Sequence, residues 1–294
     1  VTEIRGTTVP LRLLAVHAHP DDESSKGSAT YAHYRKAGVE VLVVSCTGGE
    51  QGSILNEHLE ARAHAERDIA GLRILEMARA QEAMGVDHVW LGYSDSGLPE
   101  EGESVAVNSF ATIPLEISTE PLVRIVRRFK PHVLLTYDEN GGYPHPDHIR
   151  THEVSVAAYE AAADPARYPH AGPAWQVSKL YYDRIMNTTR MRAIYEAIKV
   201  ETPDSPVLAQ MDEMFERWGE RADPSTTHVN VADSFPARDD ALRAHASQVD
   251  PTGFFFLHSH ELQAKVWPTE DFQLIDSKVE TTLPETDLFA GVTE

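Results

Sequence analysis

Short apolar, β-branched runs alternate with helical patterns through the first two thirds of the chain. That alternation restricts the fold more than any other feature. Leu11 to Val16, Val39 to Ser45, Val86 to Leu91 and His132 to Tyr137 read as strands. Ser25 to Ala37, Glu60 to Met84, the stretch Leu122 to Phe129 and Asp147 to Ala163 read as helices, the first three stopped by Gly38, Gly85 and Pro131. Strands joined through helices require right-handed crossovers and a parallel sheet covered on both faces. The expected fold class is therefore α/β: a Rossmann-like, mostly parallel sheet with helices on both faces.

Beyond about Tyr168 the alternation weakens. Short strands are expected at Lys179 to Arg184, His228 to Val231 and Phe272 to Ile275, and helices at Arg190 to Lys199, Leu208 to Gly219 and Pro236 to Gln248. This predicts a core over residues 1–170 and a smaller α+β C-terminal region over 171–294 that completes the pocket. The stretch 92–117 reads as a long loop, which favours a role at the site over that of a plain connector.

In such a sheet, ligands bind beyond the carboxyl ends of the strands. Two of those ends carry polar clusters: Ala18-His19-Pro20-Asp21-Asp22-Glu23 after the first strand, and Tyr143-Pro144-His145-Pro146-Asp147-His148 after the fourth. Taken singly, each has an ordinary explanation. Either aspartate alone would serve as a helix N-cap, and Pro146 with Asp147 suits a plain helix start. Taken together, at matching strand ends, they form the His/carboxylate set of a catalytic zinc site with a fourth position left to water. Such an ion lowers the pKa of water from ~15.7 towards ~7, and a second carboxylate beside it takes the proton, so adjacent Asp21 and Asp22 divide two roles. Spacing does not say which histidine binds metal; His148 and His152, one helical turn apart, compete. The same ligands accept other divalent ions, including Fe2+.

Other functions find less support. The 26 basic and 46 acidic residues give a net charge of −20, which argues against nucleic acid or an anionic membrane as partner. No apolar run approaches the ~18 residues of a membrane span, and Val1 to Pro10 has no signal-peptide core. Cys46 is the sole cysteine, which excludes an intrachain disulfide and suits a reduced, cytoplasmic protein. Thr47-Gly48-Gly49-Glu50-Gln51-Gly52 is Gly-rich after a strand, yet it lacks both the phosphate-loop ending and the dinucleotide spacing. Its glycines are expected to let backbone approach substrate or metal closely, with Glu50 free for hydroxyls. A non-catalytic sugar- or nucleotide-binding module would leave both polar clusters without purpose. The expected partner is a small molecule, and nothing in the sequence excludes a homo-oligomer.

At Ala18 to Glu23 and His145 to His148 the chain resembles the PIG-L-like zinc deacetylases, which remove N-acyl groups from glucosamine-containing substrates. Val16 to Thr30, Ser45 to Asn56, Tyr137 to His152 and Val266 to Phe272 carry the likeness. The resemblance implies that His19, Asp22 and His148 hold zinc and that Asp21 is the general base. It implies that His145 stabilises the oxyanion or acts as general acid, and that Tyr143 assists at the carbonyl oxygen. Arg73, Glu50 and Asp95 resemble positions that grip a sugar-inositol. Ser24-Ser25-Lys26-Gly27 is similar to the branch of the family that cleaves S-conjugated N-acetylcysteine from glucosaminyl-inositol, with Lys26 at the polar or conjugate end of that thiol-conjugate substrate. Deacetylation of N-acetylglucosaminyl-inositol or another N-acetyl sugar is the alternative. His258-Ser259-His260 matches no motif.

Overall fold

A computed structural model describes residues 10–100, 102–219 and 222–293. The N-terminal run read above as lacking a leader core lies, except for Pro10, outside the described residues. In the first half, strands β1 (Arg12–His17), β2 (Glu40–Thr47), β3 (Asp87–Tyr93) and β4 (Val133–Thr136) alternate with helices α1 (Asp22–Ser25), α2 (Ser28–Lys36), α3 (Arg62–Arg67), α4 (Ile69–Met84), α5 (Leu115–Phe129) and α6 (Pro146–Ala163). The rest comprises β5 (Lys179–Asp183), α7 (Thr188–Glu201), α8 (Val207–Trp218), β6 (Thr227–Asn230), α9 (Phe235–Ala244), α10 (His260–Val266) and β7 (Thr269–Ser277).

All seven strands form one sheet in the order β3-β2-β1-β4-β5-β7-β6. The pairs among β1 to β5 are parallel, and β7 runs antiparallel to β5 and β6. The α/β expectation is met, and the strands after residue 170 extend the same sheet. β2 and β3 lie on one side of β1 and β4 on the other, so the chain reverses its winding between β1 and β4. A crevice opens at the carboxyl ends of the strands flanking such a reversal.

Alternate residues explain why both faces are covered. Leu13, Ala15, Val41, Val43, Val133 and Leu135 pack with Tyr31, Met77, Ala80 and Phe235 from α2, α4 and α9. Their neighbours Leu14, Val16, Val44, Cys46 and Leu134 pack with Leu122, Val126, Val154 and Ala158 from α5 and α6. Successive strand side chains point to opposite faces, so strands buried twice read as continuous apolar runs. A third cluster, including Ile194, Met211, Phe215 and Leu262, joins α7, α8 and α10 beside the sheet.

Two elements differ from expectation. The helix expected over 60–84 is divided at Asp68, whose side chain accepts the Gly71 N–H at 2.8 Å and caps α4 afresh. The long loop expected over 92–117 ends in structure: a 3-10 turn at Phe110–Thr112, then α5 from Leu115. Cys46 is fully buried, and burial pushes its thiol up to about 12, so it is inert packing. Among the described residues, no helix is long and apolar enough to cross a membrane.

Candidate metal centre and active site

The two polar clusters meet at the β1/β4 crevice. His19 sits in the turn after β1, Asp22 opens α1, His145 caps the N-terminus of α6, and Asp147 and His148 lie in its first turn. His148 Nε2 lies 3.3 Å from Asp22 Oδ2, and His19 Nδ1 lies 3.5 Å from the same oxygen. Donor atoms of His19, Asp22 and His148 all lie within 4.8 Å of one another, and all three residues are buried.

The outward nitrogen of each histidine has a partner. His148 Nδ1 is 2.9 Å from the Gly141 carbonyl, which fixes the proton on Nδ1 and leaves Nε2 bare. That buried Nε2 has no hydrogen-bond partner. His19 Nε2 is 3.3 Å from Asp147 Oδ2 and 3.6 Å from Asp95 Oδ1, which leaves Nδ1 facing Asp22. Metal-ligating histidines almost always donate their second ring N–H in this way. A bare buried nitrogen, a second histidine oriented by a carboxylate, and a carboxylate between them fit a divalent cation.

Asp147 was given only the part of a helix-start residue by the sequence reading. It is fully buried, and it accepts the Ser96 N–H at 2.9 Å and the Ser96 hydroxyl as well as facing His19. His19, His145 and Asp147 also form a second cluster of potential donors sharing His19. Its position between two histidines in His145-Pro146-Asp147-His148 was the available signal. Replacing Asp147 by Asn is expected to weaken metal affinity by about 10–100-fold, as measured by competition with a chelating dye. His152, the rival of His148, instead turns to the Tyr137 carbonyl at 3.0 Å and to the Tyr182 ring.

Asp21 stands outside the ligand group. Its backbone is in the left-handed region, φ 105°, which side chains other than glycine rarely adopt and which costs on the order of 1–3 kcal/mol. It occupies the N-cap position of α1, yet its side chain makes no capping bond. Arg73 holds it instead, with Nη2 at 2.9 Å from Asp21 Oδ2. A quarter of the Asp21 side chain, 26%, remains exposed, enough for water to reach it. Enclosure raises its carboxyl pKa and Arg73 opposes the rise.

Arg73 itself is buried, reaching the Gly49 carbonyl at 2.8 Å and the Pro20 carbonyl at 2.5 Å. It ties the loops after β1 and β2 together behind Asp21. This explains the Gly-rich segment: a Cβ at Gly49, φ +66°, would lie 2.3 Å from Arg73 Nη1. The close approach there is by an arginine of the chain itself, where the sequence reading expected substrate or metal. Glu50 accepts the Asp95 N–H at 2.8 Å, and Asp95 accepts the N–H groups of Gln51 at 3.1 Å and Gly97 at 2.8 Å. Both shape the rim of the crevice. Lys26 is mostly enclosed and pairs with Asp22 Oδ1 at 2.5 Å.

Behind Asp21 lies a support with no local sequence signal. Glu23 accepts the Asp21 N–H at 3.0 Å and pairs with His245 Nε2 at 2.7 Å, and both members are fully buried. Burial disfavours charge on each, but their mutual attraction outweighs it, taking Glu23 down to about 2 and raising His245. Glu23 has a depressed folded pKa, so its contribution is present above its unfolded value and lost as pH falls towards about 2. His245 has a raised folded pKa, so its contribution is complete below about 6.5 and lost as pH rises through the folded value. Glu23→Gln is expected to cost about 3–5 kcal/mol by stranding the imidazolium. Urea unfolding near pH 6 reads that loss.

Tyr143 and His145 complete the mouth. Tyr143 is 45% exposed, its ring 4.4 Å from that of His148 and 5.9 Å from that of His145. Burial and nearby carboxylates raise its phenol pKa, so it remains a protonated donor. His145 Nδ1 accepts the Asp147 N–H at 3.1 Å, which leaves the ring proton of the neutral form on Nε2. Burial, with His19 and His148 nearby, lowers its pKa to about 4.

Comparison with known proteins agrees with this architecture. The family model for GlcNAc-PI de-N-acetylase (PIG-L) matches residues 14–159. The chain is 49% identical over 292 residues to mycothiol S-conjugate amidase of Streptomyces coelicolor, covering 97% of this chain and 98% of that one. It is 39% identical over 290 residues to 1D-myo-inositol 2-acetamido-2-deoxy-alpha-D-glucopyranoside deacetylase of Geodermatophilus obscurus, covering 96% and 98%. Among solved structures, the fold is similar to N,N'-diacetylchitobiose deacetylase from Pyrococcus horikoshii, with a TM-score of 0.60 at 19% identity over 90% of this chain and 83% of that one.

Proposed function

The chain belongs to the PIG-L family of de-N-acetylases, and from that premise we propose that it is an amide hydrolase acting on mycothiol S-conjugates. It splits the amide between S-substituted N-acetylcysteine and glucosaminyl-inositol, giving a mercapturic acid and the free amino sugar. The chemistry rests on one observation above all: the bare, buried Nε2 of His148 facing Asp22 and His19, with Asp21 held apart beside it. The substrate is supported by the likeness to the amidase, which exceeds that to the deacetylase along nearly the whole chain.

His19, Asp22 and His148 are the residues that would hold the cation, which we assign as zinc, one per chain, with Fe2+ as an ion the same donors accept. When bound, such an ion supplies polarisation of a carbonyl oxygen and water acidified to a pKa near ~7. Asp21, oriented by Arg73, takes the proton of the attacking water and delivers it to the leaving nitrogen, so the hydroxyl ends on the acyl carbon and the proton on the amine. Tyr143 and the Nε2–H of His145 donate to the oxygen on which charge develops. Because His145 is neutral at pH 7, hydrogen-bond donation suits it better than acting as general acid. Lys26, Glu50, Arg73 and Asp95 border the crevice that receives the sugar-inositol and conjugate ends. A single buried cysteine suits a cytoplasmic setting, where we place the reaction.

Deacetylation of N-acetylglucosaminyl-inositol is the second reading, favoured by the likeness to the G. obscurus deacetylase. Turnover of a fluorescent thiol conjugate beside the acetylated sugar separates the two. The amidase reading expects kcat/KM for the conjugate to exceed that for the acetyl substrate by at least about tenfold, the ratio being a difference in transition-state binding. The reverse ratio would replace it with the deacetylase reading.

A further inference from the structure

Next to Ser25 of α1, the loop after β5, the start of α7, helix α9 and the segment around Phe255 enclose a narrow cavity. Its free volume is about 30 Å³, and Ser25, Met186, Arg190, Arg238, Phe255 and His258 are in its wall. A space of that size holds one or two water-sized groups, too few for a sugar but enough for the two oxygens of a carboxylate. Ser25 connects it to the catalytic crevice: its hydroxyl bonds the Asp22 carbonyl at 3.2 Å and lies 3.4 Å from Lys26 Nζ.

Arg190 is the anomaly. Only 7% of it is exposed, Nη1 donates to the Ile185 carbonyl at 2.8 Å, and Nε is buried with no partner. Among the described residues no carboxylate forms an ion pair with it, whereas Arg238 is satisfied by Asp239 at 2.8 Å and Gln263 at 2.7 Å. A buried guanidinium without a contact ion pair is expensive, and the Glu270 and Asp271 carboxylates, which act on it only from a distance, offset part of that cost. Burial and the neighbouring Arg238 bring its pKa down to about 10, so it remains charged at neutral pH. His258, for which the sequence reading found no motif, is in the same wall, and His260 beside it bonds Asp239 at 2.6 Å and helps hold Arg238's partner in place.

We propose that this cavity is a subsite for a small anionic group, a carboxylate at the far end of the S-linked substituent, received by Arg190. The proposal rests on the amidase reading and narrows it: conjugates whose S-substituent ends in a carboxylate are preferred. Met186 and Phe255 supply the apolar contacts that the intervening carbon chain needs.

The test compares two S-conjugates of equal length, one ending in a carboxylate and the other in the corresponding primary amide, on the zinc-loaded full chain. The readout is the ratio of their kcat/KM values. The expected ratio is about tenfold in favour of the carboxylate, as one or two charge-assisted hydrogen bonds provide. Arg190→Met is expected to bring it to about one, and Arg190→Lys, which keeps the charge, to leave it in between. A ratio near one in the unaltered protein, or an unchanged ratio in Arg190→Met, overturns the subsite while leaving the amidase reading intact. Should neither conjugate be cleaved while the acetyl sugar is, the amidase reading itself fails. Calorimetry with butyrate against butyramide then decides the subsite: a butyrate Kd weakened about tenfold by Arg190→Met supports it, and an unchanged Kd overturns it.

Discussion

Asp21→Asn is expected to lower kcat by about 10²- to 10⁴-fold, the range contributed by a positioned general base, with no loss of bound metal. The separation of the two effects follows from geometry. Asp21 lies outside the His19, Asp22 and His148 group, so its amide analogue removes a proton acceptor and leaves the ligands in place. Its backbone strain and the Arg73 contact give the reason for its residue type. Nothing in the local hydrogen bonding of α1 needs a carboxylate there, because the side chain makes no capping bond. Metal content by atomic emission and kcat on a saturating conjugate, measured on the same preparation, check both halves. A variant that loses metal with activity would make Asp21 a ligand, and one that keeps full turnover would remove it from the reaction.

His148→Ala is expected to lose the metal and with it essentially all turnover. Deleting a direct ligand costs more than the about 10–100-fold in affinity expected for an outer partner such as Asp147. The buried Nε2 of His148 has no other partner to compensate for its removal. His152→Ala is the matched control: it lies one turn further along α6 and is turned to the Tyr137 carbonyl. Stoichiometric metal is expected in that variant. Loss of metal from His152→Ala and retention by His148→Ala would reverse the assignment.

These expectations show which features a chain announces and which it conceals. The runs at Leu13 to Val16 and Val41 to Val44 were legible because both faces of the strand are covered, so every position is apolar. The two polar clusters were legible for the opposite reason, since carboxylates and imidazoles directly after such runs have no role in the core. The break at Asp68 was hidden because helical periodicity continues across it, while a single side-chain cap decides the boundary. The start of α5 was hidden by the β-branched and polar residues Ile117, Ser118 and Thr119, whose weak helix propensity is overridden by packing.

The supporting residues were the least legible. Arg73 lies 52 positions from Asp21, and its place in a helix gives no hint that its guanidinium crosses to another loop. His245 reaches Glu23 across 222 positions. Such pairings are products of tertiary packing, and no periodicity encodes them. Asp147 was the exception, because its position between two histidines was in plain view. Arg190 belongs with the hidden ones: the sequence places it at the start of a helix, and only the fold buries it with its Nε unpartnered.

The most direct measurement is anomalous diffraction at the zinc absorption edge from crystals of the zinc-loaded protein. A single strong peak within bonding distance of His19, Asp22 and His148, with Asp21 beside it and unbound, is the predicted result. A peak anywhere else in the molecule, or none between these three side chains, would contradict the account.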